Sequence, residues 1–135
     1  MTRTSSIKWK ALAVGAAAFL AAHAVVAARW ARWFGGEHEP WFLNSGRAVA
    51  FTAFCLLLAG LGASAWWARD RDDAMVHGLN VAAGAVLAMV IMLVAVGPGS
   101  IFPIVIAFGG MIALVSAGIG SSIVRAFKPR SARSV

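Results

Sequence analysis

His23, the triplet Glu37-His38-Glu39, the triplet Asp70-Arg71-Asp72 and Cys55 are the residues of this 135-residue chain whose types and spacing could do chemistry. An imidazole buried in an apolar span can ligate haem or a metal, or shuttle a proton. His23 lies well inside such a span, about four turns beyond Trp9. A bis-histidine haem would need a second His at matching depth on a facing helix. Neither other histidine meets that need, because His77 opens a later span and His38 sits in a polar connection. His23 therefore reads as a neutral structural residue, hydrogen-bonded to a neighbouring helix.

The two carboxylates beside His38 could capture a divalent cation, but three neighbouring side chains rarely converge on one ion, and a solvated loop is the simpler reading. Asp70-Arg71-Asp72 has the carboxylate spacing of some metal-dependent glycosyltransferases. It stands in a short loop, with no nucleotide-binding domain around it. Cys55 is the single cysteine and has no intramolecular disulfide partner. The sequence thus assigns no catalytic residue, no cofactor and no metal.

The elements around these residues are membrane-like. The chain is 61% hydrophobic and 13% charged, too apolar for an ordinary soluble domain. From Ala74 to Val124 it contains no Asp, Glu, Lys or Arg. As one helix that stretch would extend roughly 75 Å, more than twice the hydrocarbon thickness of a bilayer, so it must fold back at Gly97-Pro98-Gly99-Ser100. The resulting expectation is an all-α integral membrane protein, an antiparallel bundle of four transmembrane helices over residues 1–128. Its spans are predicted at about 8–28, 46–68, 74–96 and 101–124, with a basic disordered tail at 129–135 and polar, basic character from Arg125 onward.

Several residues mark the ends of these spans. Trp9, Trp30, Trp33, Trp41, Trp66 and Trp67 fit the water–lipid boundary, where an indole buries its ring and keeps its N–H wet. Asn44 or Ser45 is a natural N-cap for the second span, and Pro103 is tolerated in the first turn of the fourth. Arg69 would meet the negative end of the second helix dipole, and Asp72 and Asp73 the positive start of the third. The amino-terminal stretch ends in Ala22-His23-Ala24, a pattern resembling a signal-peptide cleavage site. The uncharged run nevertheless continues to Ala28 and meets Arg29-Trp30-Ala31-Arg32-Trp33, the edge of a retained helix. It is too uniformly apolar for a transit peptide.

The net charge of +7 does not point to nucleic acid, because the 12 Lys and Arg flank apolar spans instead of forming a stripe among stacking aromatics. With four spans, nine of these 12 lie on the side of the two termini, which predicts that both termini are cytoplasmic. The Ala, Gly and Arg bias fits a bacterial inner membrane.

No carboxylate, Lys or Arg lies within a span away from its ends, which lowers the expectation of an ion-coupled carrier or pump. A passive pore does not need such groups. The strongest positive pattern is one of packing: Gly109, Ala113, Ala117 and Ser121 recur every fourth residue, with Gly110, Gly118 and Ser122 on the neighbouring face. Small residues at this spacing let helix backbones approach closely in lipid. Gly78, Ala82 and Val86 form a weaker version, and Gly15 sits among alanines. The functional expectation is a non-catalytic subunit or accessory factor of a larger membrane assembly. Its partners would be the bilayer and other membrane subunits or itself. The alternative is a homo-oligomeric channel or uncoupled small-solute transporter.

Overall fold

The computed structural model describes residues 7–29, 32, 41–96 and 102–129, the side chains of 41–45, 96 and 102–107 excepted. Each long apolar stretch is helical: α1 spans Trp9–Ala28, α2 Trp41–Trp67, α3 Arg71–Val96 and α4 Phe102–Arg125. All four contain segments long and apolar enough to cross a membrane. The Gly97–Ser100 turn, the Glu37-His38-Glu39 triplet, Trp30, Trp33 and residues 130–135 lie outside the described residues.

Two helix starts differ from the sequence expectation. α2 begins at Trp41, so Asn44 and Ser45 are inside the helix and neither is its N-cap. α3 begins at Arg71, preceded by Asp70, whose Oδ1 accepts a hydrogen bond from the Asp73 N–H at 2.9 Å. Asp73 in turn accepts from the Arg69 N–H through Oδ2 at 3.0 Å, close to a reciprocal capping box. Both corrections have one cause. Hydropathy marks where a span is apolar, whereas capping and backbone hydrogen bonding decide where a helix begins, and polar first turns project beyond the apolar segment.

Neighbouring elements alternate in direction. Gly78 adjoins Ser121 while Gly109 adjoins Met89, which makes α3 and α4 antiparallel; Lys8 at the start of α1 meets Asp73 at the start of α3, and Phe19 and Met89 further along the two helices line one cavity, so α1 and α3 run parallel. Among the described residues α3 packs against all three other helices, α4 also against α2, and α1 also against α2, whereas α1 and α4 scarcely meet.

The interior is made of small residues. Ala11, Ala85, Ala113, Ala117, Ser64 and Ser121 are fully buried, and Leu56 and Val81 are the largest side chains sealed completely inside. Large apolar groups such as Leu20, Phe54, Leu87, Ile91 and Met111 face outward. A soluble helical protein sorts polar from apolar, but this bundle sorts small from large. That sorting allows close backbone approach where dispersion, more than water exclusion, holds helices together.

Close approach is enforced at reciprocal glycines. A Cβ on Gly15 would overlap the Val81 carbonyl, and one on Gly84 would overlap the Leu12 carbonyl and stand 3.0 Å from the Ala16 nitrogen. The α2–α4 pair repeats the device: a Cβ on Gly60 would come 2.9 Å from the Ala117 Cα, and one on Gly120 would be 2.7 Å from the Leu61 nitrogen.

Candidate functional site

The polar groups gather at the end of the bundle that carries Lys8, the α2–α3 connection and Lys128. Lys8 Nζ stands 3.6 Å from Asp73 Oδ1, and the Lys8 backbone N–H donates to Asn80 Oδ1 at 3.1 Å. His77, buried on α3, places Nδ1 2.8 Å from the Asp73 carbonyl oxygen. A carbonyl only accepts, so that contact requires the proton on Nδ1. Arg71 donates through Nε to the Lys128 carbonyl at 3.1 Å and through its backbone N–H to the Pro129 carbonyl at 3.2 Å.

Lys128 Nζ donates to the Ala65 and Ala68 carbonyls at 3.2 and 2.8 Å, satisfying acceptors at the carboxyl end of α2 where a cation is electrostatically favoured. The start of the expected basic tail is therefore ordered: Ala126 to Lys128 form a turn and Lys128 works as a cap. Arg69 stands two residues beyond the end of α2 and donates its backbone N–H to Asp73, and Asp72 and Asp73 lie in the first turn of α3, as expected for the two helix dipoles.

Within the bundle, the Ser64 hydroxyl lies 2.9 Å from the Ala74 carbonyl and 2.8 Å from the Ser121 hydroxyl. With one proton per hydroxyl, Ser64 donating to Ala74 must accept from Ser121. The contact ties α2, α3 and α4 together at a point where no side chain reaches solvent. These interactions position the fold and present no free reactive group in the described network.

The Asp70-Arg71-Asp72 carboxylates are divided between tasks, Asp70 capping α3 and Asp72 being exposed. Among the described residues no group of His, Cys, Asp and Glu could hold a metal ion. Cys55 is half-buried and free. Trp9 and Trp66 are exposed at this end, and Trp67 is half-buried with Lys10 Nζ 6.0 Å from its ring centroid. Trp41 is the first residue of α2, and its side chain is outside those described.

On the small-residue face of α4, Ala113, Ala117 and Ser121 are buried within the bundle against α2 and α3, and Gly109, half-buried, adjoins Met89. Gly118 points into open space. Sequence spacing passed over Gly60, Gly84 and Gly120, which together with Gly15 make the tight approaches to facing backbone.

The opposite half of the bundle contains a cavity of about 250 Å³, lined from α1, α2, α3 and α4. Its walls are apolar: Phe19, Val26, Leu56, Met89 and Ile112 contribute, with Ala48 and Gly109 leaving the room. Two polar side chains reach it, His23 and Thr52. The Thr52 hydroxyl donates to the Ala48 carbonyl of its own helix at 2.9 Å.

His23 is exposed at the cavity edge and stacks on Phe19, with ring centroids 6.2 Å apart and an interplanar angle of 20°. The expected hydrogen bond from His23 to a neighbouring helix is absent among the described residues. Among the described residues α1 and α4 scarcely meet, which leaves His23 without a close neighbour on that side. Among the described residues, this cavity is where an apolar volume and the His23 imidazole coincide. No protein-family model, curated protein or solved structure matches the chain, so the functional reading rests on its own residues.

Proposed function

We propose that the chain is a multi-pass integral membrane protein of a bacterial inner membrane, with both termini cytoplasmic, that acts as a non-catalytic subunit or accessory factor of a larger membrane assembly. The observation that carries this reading is the division between a self-contained interior and an exterior with vacant grooves. Four helices of membrane-crossing length turn their large apolar side chains outward, as lipid requires. The polar end is bonded within the chain. On the outside, a groove between α1 and α2 runs past Ala59, Gly62 and Trp66, and another between α3 and α4 runs past Ala83, Leu87 and Gly110. Gly62 has nothing within 4 Å of where a Cβ would stand, so its small size serves no contact inside this chain. A small residue facing outward in an apolar groove is the surface on which another transmembrane helix can seat closely.

The test is purification of the tagged full chain in mild detergent, followed by mass measurement of the intact complex. Co-purification of unrelated membrane chains in fixed stoichiometry, lost in a Gly62→Leu variant that still inserts, is the expected result. A defined homo-oligomer that passes small solutes in liposomes would replace this reading with the channel.

A further inference from the structure

We propose that the cavity at His23 binds the flat head of a lipid-soluble quinone-type molecule. The inference concerns a ligand and stands apart from which subunits the bundle meets. Size is the first constraint. An apolar cavity of about 150 Å³ admits benzene, so the 250 Å³ here accommodates two fused rings. It is smaller than the roughly 300 Å³ at which pockets for larger ligands begin. A ring system therefore fits inside while a tail stays outside, leaving where the cavity reaches the surface at His23.

Polarity is the second constraint. The lining is aliphatic and aromatic apart from Thr52, whose hydroxyl proton is engaged, and the His23 imidazole. A neutral imidazole carries one N–H donor and one bare nitrogen acceptor. It can donate to the carbonyl of an oxidised ring or accept from the hydroxyl of a reduced one, so both forms are met without a charge. The third constraint is shape. Phe19 and His23 both line the cavity with their rings nearly parallel, an aromatic lining that favours a planar ring over a branched or globular solute. A plain acyl chain would fill apolar space but leave the imidazole without a partner, a cost that an apolar environment makes substantial.

The test uses the purified full chain in detergent, titrated with a tailless methylated naphthoquinone and, separately, with a linear alkane of similar volume. The naphthoquinone should raise the melting temperature saturably. It should also move the ring-nitrogen resonances of His23 in nitrogen-labelled protein, a readout that requires no cavity variant. His23→Leu should weaken binding roughly tenfold, as loss of one hydrogen bond to the ligand predicts. Ala48→Phe or Ile112→Phe, each placing a ring in the cavity, should abolish binding in whichever variant keeps wild-type helicity.

The proposal is overturned if no saturable shift occurs, if the His23 resonances stay in place at saturation, or if a folded cavity-filling variant binds normally. It is also overturned if the alkane binds as well as the naphthoquinone and His23→Leu changes neither, because the cavity would then hold lipid chains.

Discussion

Ser64 shows how one hydroxyl can matter in a bundle with so little polar interior. It touches the Ala74 carbonyl and the Ser121 hydroxyl, and both serines are fully buried. Ser64→Ala should lower stability by about 1 kcal/mol, the usual worth of a buried hydrogen bond, and Ser121→Ala by a similar amount. The double variant should cost less than the two single changes together, since they remove a shared contact. Reversible unfolding in mixed detergent measures all three, and strict additivity would show that the serines do not act as a pair. Sequence identified Ser121 through its spacing with Ala117 but gave no reason to single out Ser64. His23 was likewise visible as a polar residue within an apolar span. Its stacking on Phe19 is a local contact between residues four apart on α1, whereas its place on a cavity was not visible, because that depends on how far α1 stands from its neighbours.

The helices pair through glycines that tolerate no side chain, and this gives a sharp contrast between positions of identical composition. Gly15→Ala, Gly84→Ala, Gly60→Ala and Gly120→Ala each force a methyl group into a facing backbone. Each should destabilise the bundle by about 1–3 kcal/mol, the range for overpacking. Gly62→Ala and Gly118→Ala meet nothing within 4 Å. They should be neutral or gain up to about 1 kcal/mol, because Ala is the better helix former. The comparison is a set of unfolding curves for six single variants, and equal effects at buried and open glycines would refute the packing described here. At this scale the apolar core of every helix was legible, since an uncharged run of that length leaves few alternatives in lipid. The start of α2 was not. Asn44 and Ser45 have cap-forming side chains, yet the helix continues through them to Trp41, as local preference gives way when backbone hydrogen bonds can extend another turn.

The whole molecule brings the amino terminus of α1, the α2–α3 connection and the end of α4 to one end, joined by Lys8 to Asp73 and by Arg71 to Lys128. The proposed orientation makes that end cytoplasmic. In a Cys55→Ala background, Ser5→Cys, Asp72→Cys and Ser131→Cys should resist an impermeant thiol reagent in intact cells, while His38→Cys should react. Labelling at Asp72→Cys from outside would reverse the orientation or remove the four-span arrangement. By itself the sequence determined that four helices form and roughly where, because hydropathy is a one-dimensional property: a stretch either can or cannot lie in hydrocarbon. It could not determine which face of each helix turns inward, since interior and exterior are both apolar and binary patterning carries no sign. Gly60 and Gly62 are two residues apart on α2, as are Gly118 and Gly120 on α4, and two helical steps of about 100° place such neighbours on opposite faces. Only the tertiary structure decides that Gly60 faces Ala117 and Gly120 faces Leu57 and Leu61 while Gly62 and Gly118 look outward. The choice rests on complementary fit between surfaces: backbones close in where both helices present small residues, and a cavity remains where they cannot.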